Sequence, residues 1–171
     1  ALALVKAVEN GFQGALMVPT EILAKQHYQN LQILFADLPI KIGLLIGSTT
    51  AKERLALHSD LKTGELQILI GTHALIQKEV AFSALGLVIT DEQHRFGVEQ
   101  RSLLQSKGQS PDLLVMTATP IPRTLSLTLY GDLDVSTIDT VPPGRQPIRT
   151  FIRSSESRSK IYGFVAQQIT K

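Results

Sequence analysis

The sequence predicts an α/β protein: a parallel sheet covered by helices on both faces, in three layers α/β/α. Three observations predict it. Short apolar runs recur at Ala15–Val18, Ile42–Ile46, Leu66–Ile70, Leu87–Ile89 and Leu113–Met116, mostly without polar alternation, as strands buried on both faces read. Each run stops at a glycine, a proline or a hydroxyl residue. Stretches rich in helix formers separate the runs through short turns, which implies parallel pairing with right-handed crossovers.

The elements follow in order. Ala1–Asn10 is a helix of good formers stopped by Gly11, and it has no N-cap residue ahead of it. The pattern therefore starts in mid-helix, and the reading expects an N-terminally truncated domain. The strand Ala15–Val18 ends at Pro19-Thr20, and a helix runs from Glu21 to about Phe35 with its apolar positions at Ile22, Leu23, His27, Leu31 and Leu34. The strand Ile42–Ile46 ends at Gly47-Ser48-Thr49-Thr50 and leads into a helix over Ala51–Leu61. The strand Leu66–Ile70 ends at Gly71-Thr72-His73, before a helical turn at Ala74–Gln77. The strand around Leu87–Ile89 surfaces at Asp91-Glu92 and precedes a helix over Val98–Lys107. Leu113–Met116 ends at Thr117-Ala118-Thr119-Pro120, followed by a helix at Arg123–Tyr130 and a short strand at Val135–Ile138. Pro142-Pro143-Gly144 breaks the alternation. Beyond it Ile148–Ile152 reads as a strand and Ser155–Lys171 as a helix. The expected division is a first lobe over residues 1–141, a linker over 142–147, and the start of a second lobe over 148–171.

Composition narrows the function classes. With 43 % apolar and 19 % charged residues the chain has a core to bury and is not disordered. It holds no cysteine, hence no disulfide frame and no thiolate metal site. No apolar stretch is long enough to span a bilayer and no leader opens the chain, so the expectation is a soluble cytoplasmic protein with no membrane partner. From Gly144 onward six basic residues face one acidic residue, leaving 11 basic against 14 acidic over 1–143. The body is thus no basic nucleic-acid wrapper, and polyanion contacts there must come from placed groups.

Ligands of open parallel sheets gather at the carboxyl ends of the strands. There the sequence puts Thr20, Ser48 with Thr49, Thr72, Asp91 with Glu92, and Thr117 with Thr119. Three ends pair a small or rigid residue with a hydroxyl just ahead of a helix: Pro19-Thr20, Gly47-Ser48 and Gly71-Thr72. Helix starts with free N–H groups grip phosphate; singly each reads as an ordinary cap, but three along one edge could read a row of phosphates. The adjacent carboxylates Asp91 and Glu92 resist ionising together unless a cation compensates them. Mg²⁺ suits them, being usually held by one or two carboxylates plus phosphate oxygens; alone, such a pair more often marks a solvated acidic turn.

Of the four histidines, His27 is expected to be packed on its helix and His58 exposed, and only His94 is placed to sense the carboxylates. No H-E-x-x-H and no G-x-S-x-G occur, which argues against a zinc site and a triad hydrolase. No G-x-x-x-x-G-K-[ST] occurs either, although a nucleotide site on Asp91 and Glu92 needs that phosphate loop. The expectation is that the loop precedes Ala1.

These residues carry a resemblance. DEQHRFGVEQR (Asp91–Arg101) resembles motif II of the RecG-type branch-migration DNA helicases of superfamily 2, PTEILAKQH (Pro19–His27) motif Ia, and Gly47-Ser48 motif Ib. IGTHALIQ (Ile70–Gln77) resembles the next DNA-side motif and VMTATPIPRTL (Val115–Leu125) motif III. The related translocation module of the transcription–repair coupling factor usually reads D-E-E-Q-R-F-G in motif II, whereas this chain reads D-E-Q-H-R-F-G; Glu21 and His94 lean to the RecG type. The resemblance implies a RecA-like (P-loop NTPase-like) lobe lacking its phosphate-loop strand, using ATP and Mg²⁺ on branched or forked DNA, as a monomer. It implies Asp91 as the Mg²⁺ holder through water and Glu92 as the group that orients and deprotonates the attacking water. Gln93 and His94 would couple the γ-phosphate to Thr117 and Thr119, and Thr20, Ser48, Thr72, His73 and Arg123 would touch the DNA backbone. This chain alone is expected to be inactive. A non-enzymatic nucleic-acid clamp would explain the hydroxyls but not the acidic pair. A Mg²⁺ phosphohydrolase would need further carboxylates at neighbouring strand ends, and none stand there.

Overall fold

The computed structural model of the chain describes residues 1–92, 98–118, 134–140, 142, 144–145, 148 and 150–169. The chain divides into two compact units, Ala1–Arg123 and Thr124–Lys171.

Among its described residues the first unit holds five strands, β1 (Gln13–Met17), β2 (Ile42–Leu45), β3 (Ile68–Gly71), β4 (Leu85–Thr90) and β5 (Asp112–Val115). They form one sheet in the order β2-β3-β1-β4-β5, and every pairing is parallel. The fold class is therefore the one read from the sequence. α1 (Leu2–Glu9) precedes β1, and between the strands lie α2 (Glu21–Leu34), α3 (Ala51–Thr63), α4 (Val98–Gln105) and a 3₁₀ turn, His73–Ile76. Because strand side chains alternate, each strand feeds two cores. On one face Met17, Leu45, Leu69 and Val88 pack with Leu61 of α3 and Leu104 of α4. On the other, Leu16, Ile70 and Ile89 pack with Leu4 of α1 and with Ala24 and Leu31 of α2. The layering α/β/α follows from these two cores, and each buried aliphatic side chain contributes roughly 1.5–3 kcal/mol.

The strands approach closely where the core demands it. A β-carbon on Gly71 would run into the carbonyl oxygen of Leu45 on the paired strand, so only glycine lets β3 lie against β2 there. Gln13, 3 % exposed at the start of β1, is the polar tie beneath the sheet. Its amide donates to the carbonyls of Leu61 and Leu66, and its oxygen accepts from Ala84 N–H. One side chain thus joins the end of α3 to the lead-ins of β3 and β4.

Several expectations need correction. Ile22 and Leu34 do not face inward; they are 79 % and 63 % exposed. At 100° per residue, Ile22 lies opposite Leu31, and the inward stripe of α2 is Ala24, His27 and Leu31, continued by Phe35. In the second unit no strand forms over Val135–Ile138, nor at the described residues of 148–152. Val135, Ile138 and Ile152 are exposed, and an apolar run without a neighbour to pair with does not become a strand. The expected helix over 155–171 is present as a 3₁₀ turn, Ser155–Ser157, running into α5 (Arg158–Ile169). The linker expected over 142–147 lies partly outside the described residues, and the helix expected at Arg123–Tyr130 lies wholly outside them.

Candidate functional site

Parallel register brings the strand ends into one row. Met17 pairs with both Gly71 and Thr90, Leu45 with Gly71, and Thr90 with Val115. The residues just past these positions leave the sheet along a single edge, stitched by Val18 N–H to Gly71 O, Asp91 N–H to Met17 O and Met116 N–H to Thr90 O. Strand order divides that edge. Ser48, Thr72 and Thr20 follow β2, β3 and β1; Asp91 with Glu92 and Thr117 follow β4 and β5. One half carries hydroxyls and the other carries the acidic pair.

In the acidic half, Asp91 shares strand parity with Ile89 and so points to the α2 side. Both its oxygens are engaged: Glu92 N–H donates to Oδ1 at 2.9 Å, and His27 Nε2 lies 3.0 Å from Oδ2. With Asp91 as the carboxylate, the proton of the second contact sits on His27 Nε2. Both side chains are about a quarter exposed. Glu92 adopts φ +52°, a left-handed conformation that non-glycine residues seldom take and that concentrates at functional turns. The expectation that His27 merely packs on its helix is thus corrected, as is the expectation that His94 alone could sense the carboxylates. Each partner carries a local mark, since His27 shares the inward stripe of Ala24 and Leu31 and Asp91 the parity of Ile89, but it is the strand order that brings the two together. Gln93, His94, Thr119 and Arg123 lie outside the described residues. Thr117, just past β5, is partly buried.

In the hydroxyl half, Thr20 is exposed and is the N-cap of α2, accepting from Leu23 N–H at 3.3 Å. Ser48 is exposed but caps nothing. Thr50 caps α3 in a capping box with Glu53, because the turn after β2 is long enough to carry the chain two residues past Ser48 before the helix begins. Ser48 Oγ instead donates to Glu21 Oε2 at 3.0 Å, and the Glu21 carboxylate lies 2.7 Å from where a β-carbon on Gly47 would stand. Thr72 is 2 % exposed, its hydroxyl buried without a partner and its side chain capping nothing. In this conformation it offers a phosphate no contact. His73 beside it is exposed.

His58 is also corrected: it is partly buried, with Nε2 enclosed and unpartnered. Burial pushes its pKa below the ordinary histidine value, with Arg54 adding to the effect.

The donor set at Asp91 and Glu92 is all oxygen, which fits a hard cation such as Mg²⁺. Each Asp91 oxygen keeps a lone-pair direction beyond the bond it already accepts. Among the described residues no three histidine or carboxylate side chains cluster as a cage, so an ion here would need water or phosphate oxygens to complete its shell, as Mg²⁺ ordinarily does.

Comparison with known proteins adds to this geometry. The family model described as DEAD/DEAH box helicase matches residues 1–128. Over 169 residues the chain is 53 % identical to the ATP-dependent DNA helicase RecG of Synechocystis sp. and 54 % identical to that of Bacillus subtilis, in each case over 99 % of this chain. It spans 20 % and 25 % of the length of those two relatives. A solved structure of RecG bound to a three-way DNA junction superimposes with a TM-score of 0.85 at 48 % identity, covering 99 % of this chain and 22 % of that one. Among the described residues no helix is long and apolar enough to cross a membrane.

Proposed function

The chain belongs to the DEAD/DEAH box helicase family, and from that premise we propose that it supplies part of the motor of a RecG-type, ATP-driven DNA translocase acting on branched DNA. The observation that carries the reading is Asp91, held by both oxygens at the mouth of β4 beside Glu92. The protein carrying this sequence works as a monomer in the bacterial cytosol, where its DNA lies.

Asp91 is the group that would hold Mg²⁺, through water, with Glu92 beside it. When bound, the ion would neutralise charge on the phosphate oxygens. The chain's own contribution is positional and acid–base. The fixed Asp91 carboxylate orients the water it accepts from, and Glu92 aligns the attacking water and takes its proton. The resemblance of their motifs assigns Gln93 and His94 the coupling of the γ-phosphate to Thr117 and Thr119. Thr20, Ser48 and His73 are the exposed groups for a DNA backbone and Thr72 is buried; the resemblance adds Arg123 to the DNA-contacting set. Contacts of this kind position a nucleic acid without reading its sequence, which suits recognition of a junction by shape.

The test is hydrolysis by the full-length protein carrying this sequence, with branched DNA and Mg²⁺. Glu92→Gln should cut turnover by about 100-fold or more while nucleotide binding persists, the loss typical of a removed general base. Unchanged turnover would sink the reading. The 171 residues by themselves contain no phosphate loop and should hydrolyse no ATP.

A further inference from the structure

The acidic and hydroxyl halves of the sheet edge are joined by a side-chain bond, and its owner has no part in the roles assigned so far. His27 lies on α2, the helix that opens at Thr20 and carries Glu21 against Ser48. From that helix it reaches over the sheet to Asp91 Oδ2 at 3.0 Å, across a sequence separation of 64 residues. We infer that His27 is a positioning residue that fixes the Asp91 carboxylate toward the cation and ties it to the hydroxyl half through α2.

The geometry carries this in three steps. An aspartate at a strand end has freedom about two torsions, and one hydrogen bond from its neighbour's backbone, Glu92 N–H to Oδ1, leaves a swing about that contact. The second bond, from His27 to Oδ2, removes the swing and leaves the outward lone pairs of both oxygens to accept water or an ion. The donor is itself fixed, because Ala24 and Leu31 on the same stripe of α2 are buried. The partner of a ligating group is therefore mounted on a rigid element, as such supports need to be. A solvated acidic turn would need no such partner. The exposed surface of α2 offers ample room for a histidine, yet this one is on the inward stripe.

The inference rests on the proposed role of Asp91, and the experiment separates the two. In the full-length protein carrying this sequence, binding of a fluorescent non-hydrolysable ATP analogue is titrated with Mg²⁺ and again with EDTA, for His27→Ala, His27→Gln and Asp91→Asn. His27→Ala should weaken binding in Mg²⁺ by about tenfold, the low end for lost support of a metal-holding group, and leave binding in EDTA and the melting temperature unchanged. His27→Gln, whose amide nitrogen can occupy the place of Nε2, should recover most of the loss. Equal weakening with and without Mg²⁺, or no recovery by glutamine, would overturn the inference. If His27→Ala is silent while Asp91→Asn is not, only the link falls; if Asp91→Asn is itself silent in Mg²⁺, the role of Asp91 falls with it.

Discussion

Glu21 and Ser48 hold each other across the hydroxyl half of the sheet edge: Ser48 Oγ donates to Glu21 Oε2 at 3.0 Å, joining the first turn of α2 to the turn after β2. A carboxylate there does two opposing things. It favours the helix, because negative charge in the first turn contributes about 0.3–1 kcal/mol. It also sets a negative charge beside a serine proposed to meet a phosphate. Glu21→Gln keeps an oxygen for Ser48 and removes the charge. The expected outcome is a loss of about half a kcal/mol in stability with DNA binding tightened several-fold at low salt, the gain shrinking as salt rises. Fluorescence anisotropy with branched DNA across a salt series measures it. Weaker binding would mean that Glu21 serves the DNA contact by holding Ser48 in place.

Gln13 carries a cost that the acidic edge does not. Replacing it with leucine keeps the volume but removes the donor to Leu66 O and the acceptor for Ala84 N–H. Leu61 O is less exposed to the loss, since Gly64 and Ser83 N–H also donate to it. Two orphaned buried groups at about 1–3 kcal/mol each predict a destabilisation of about 2–4 kcal/mol for Gln13→Leu, read from urea denaturation. A loss under about half a kcal/mol would show that water reaches these groups.

Thr72 gives the opposite prediction. Its hydroxyl is buried without a partner at the end of β3, so Thr72→Val exchanges an unsatisfied polar group for a methyl of similar shape. Stability should rise by roughly 1 kcal/mol, and DNA affinity should stay within about twofold, less than one hydrogen bond is worth. A clear drop in affinity would mean that Thr72 turns outward to meet the DNA.

What the sequence disclosed and what it hid follow one physical division. Apolar runs such as Leu66–Ile70 announced strands because burial on both faces leaves a local mark, and the parallel order followed from the helices between them. The row of strand ends was equally legible, since Thr20, Ser48, Thr72 and Asp91 each follow such a run. Phase and partners were harder. The stripe of α2 was set by the sheet it covers, so Ile22 faced out although it fits a helical pattern. Ser48 looked like a cap because it follows Gly47, yet Thr50 won by having Glu53 three residues on. The His27–Asp91 bond depends on β1 and β4 being neighbours, which strand order decides and no local pattern records. The run at Val135–Ile138 misled for the same reason: apolar content was present, but a strand needs a neighbour.

His58 should make the fold sensitive to mild acid. Burial is the main cause of its lowered pKa and the Arg54 charge the next; Glu79 opposes them, and Lys107 adds a smaller push downward. Lys107 is held nearby by the carbonyls of Gln77 and Val80 and is itself lowered by burial. The sign follows directly. The unfolded chain titrates this histidine near 6.5 and the folded chain below it, so between those points the unfolded state binds more protons. Stability is then fully present above about pH 6.5 and falls as pH drops through the folded value. Replacing His58 with glutamine, which keeps a polar group and loses the titration, should flatten the decline between about pH 7 and pH 5, while wild type loses stability steadily over the same range. Urea midpoints at matched ionic strength decide it. Parallel curves for the two proteins would assign the acid sensitivity to another group.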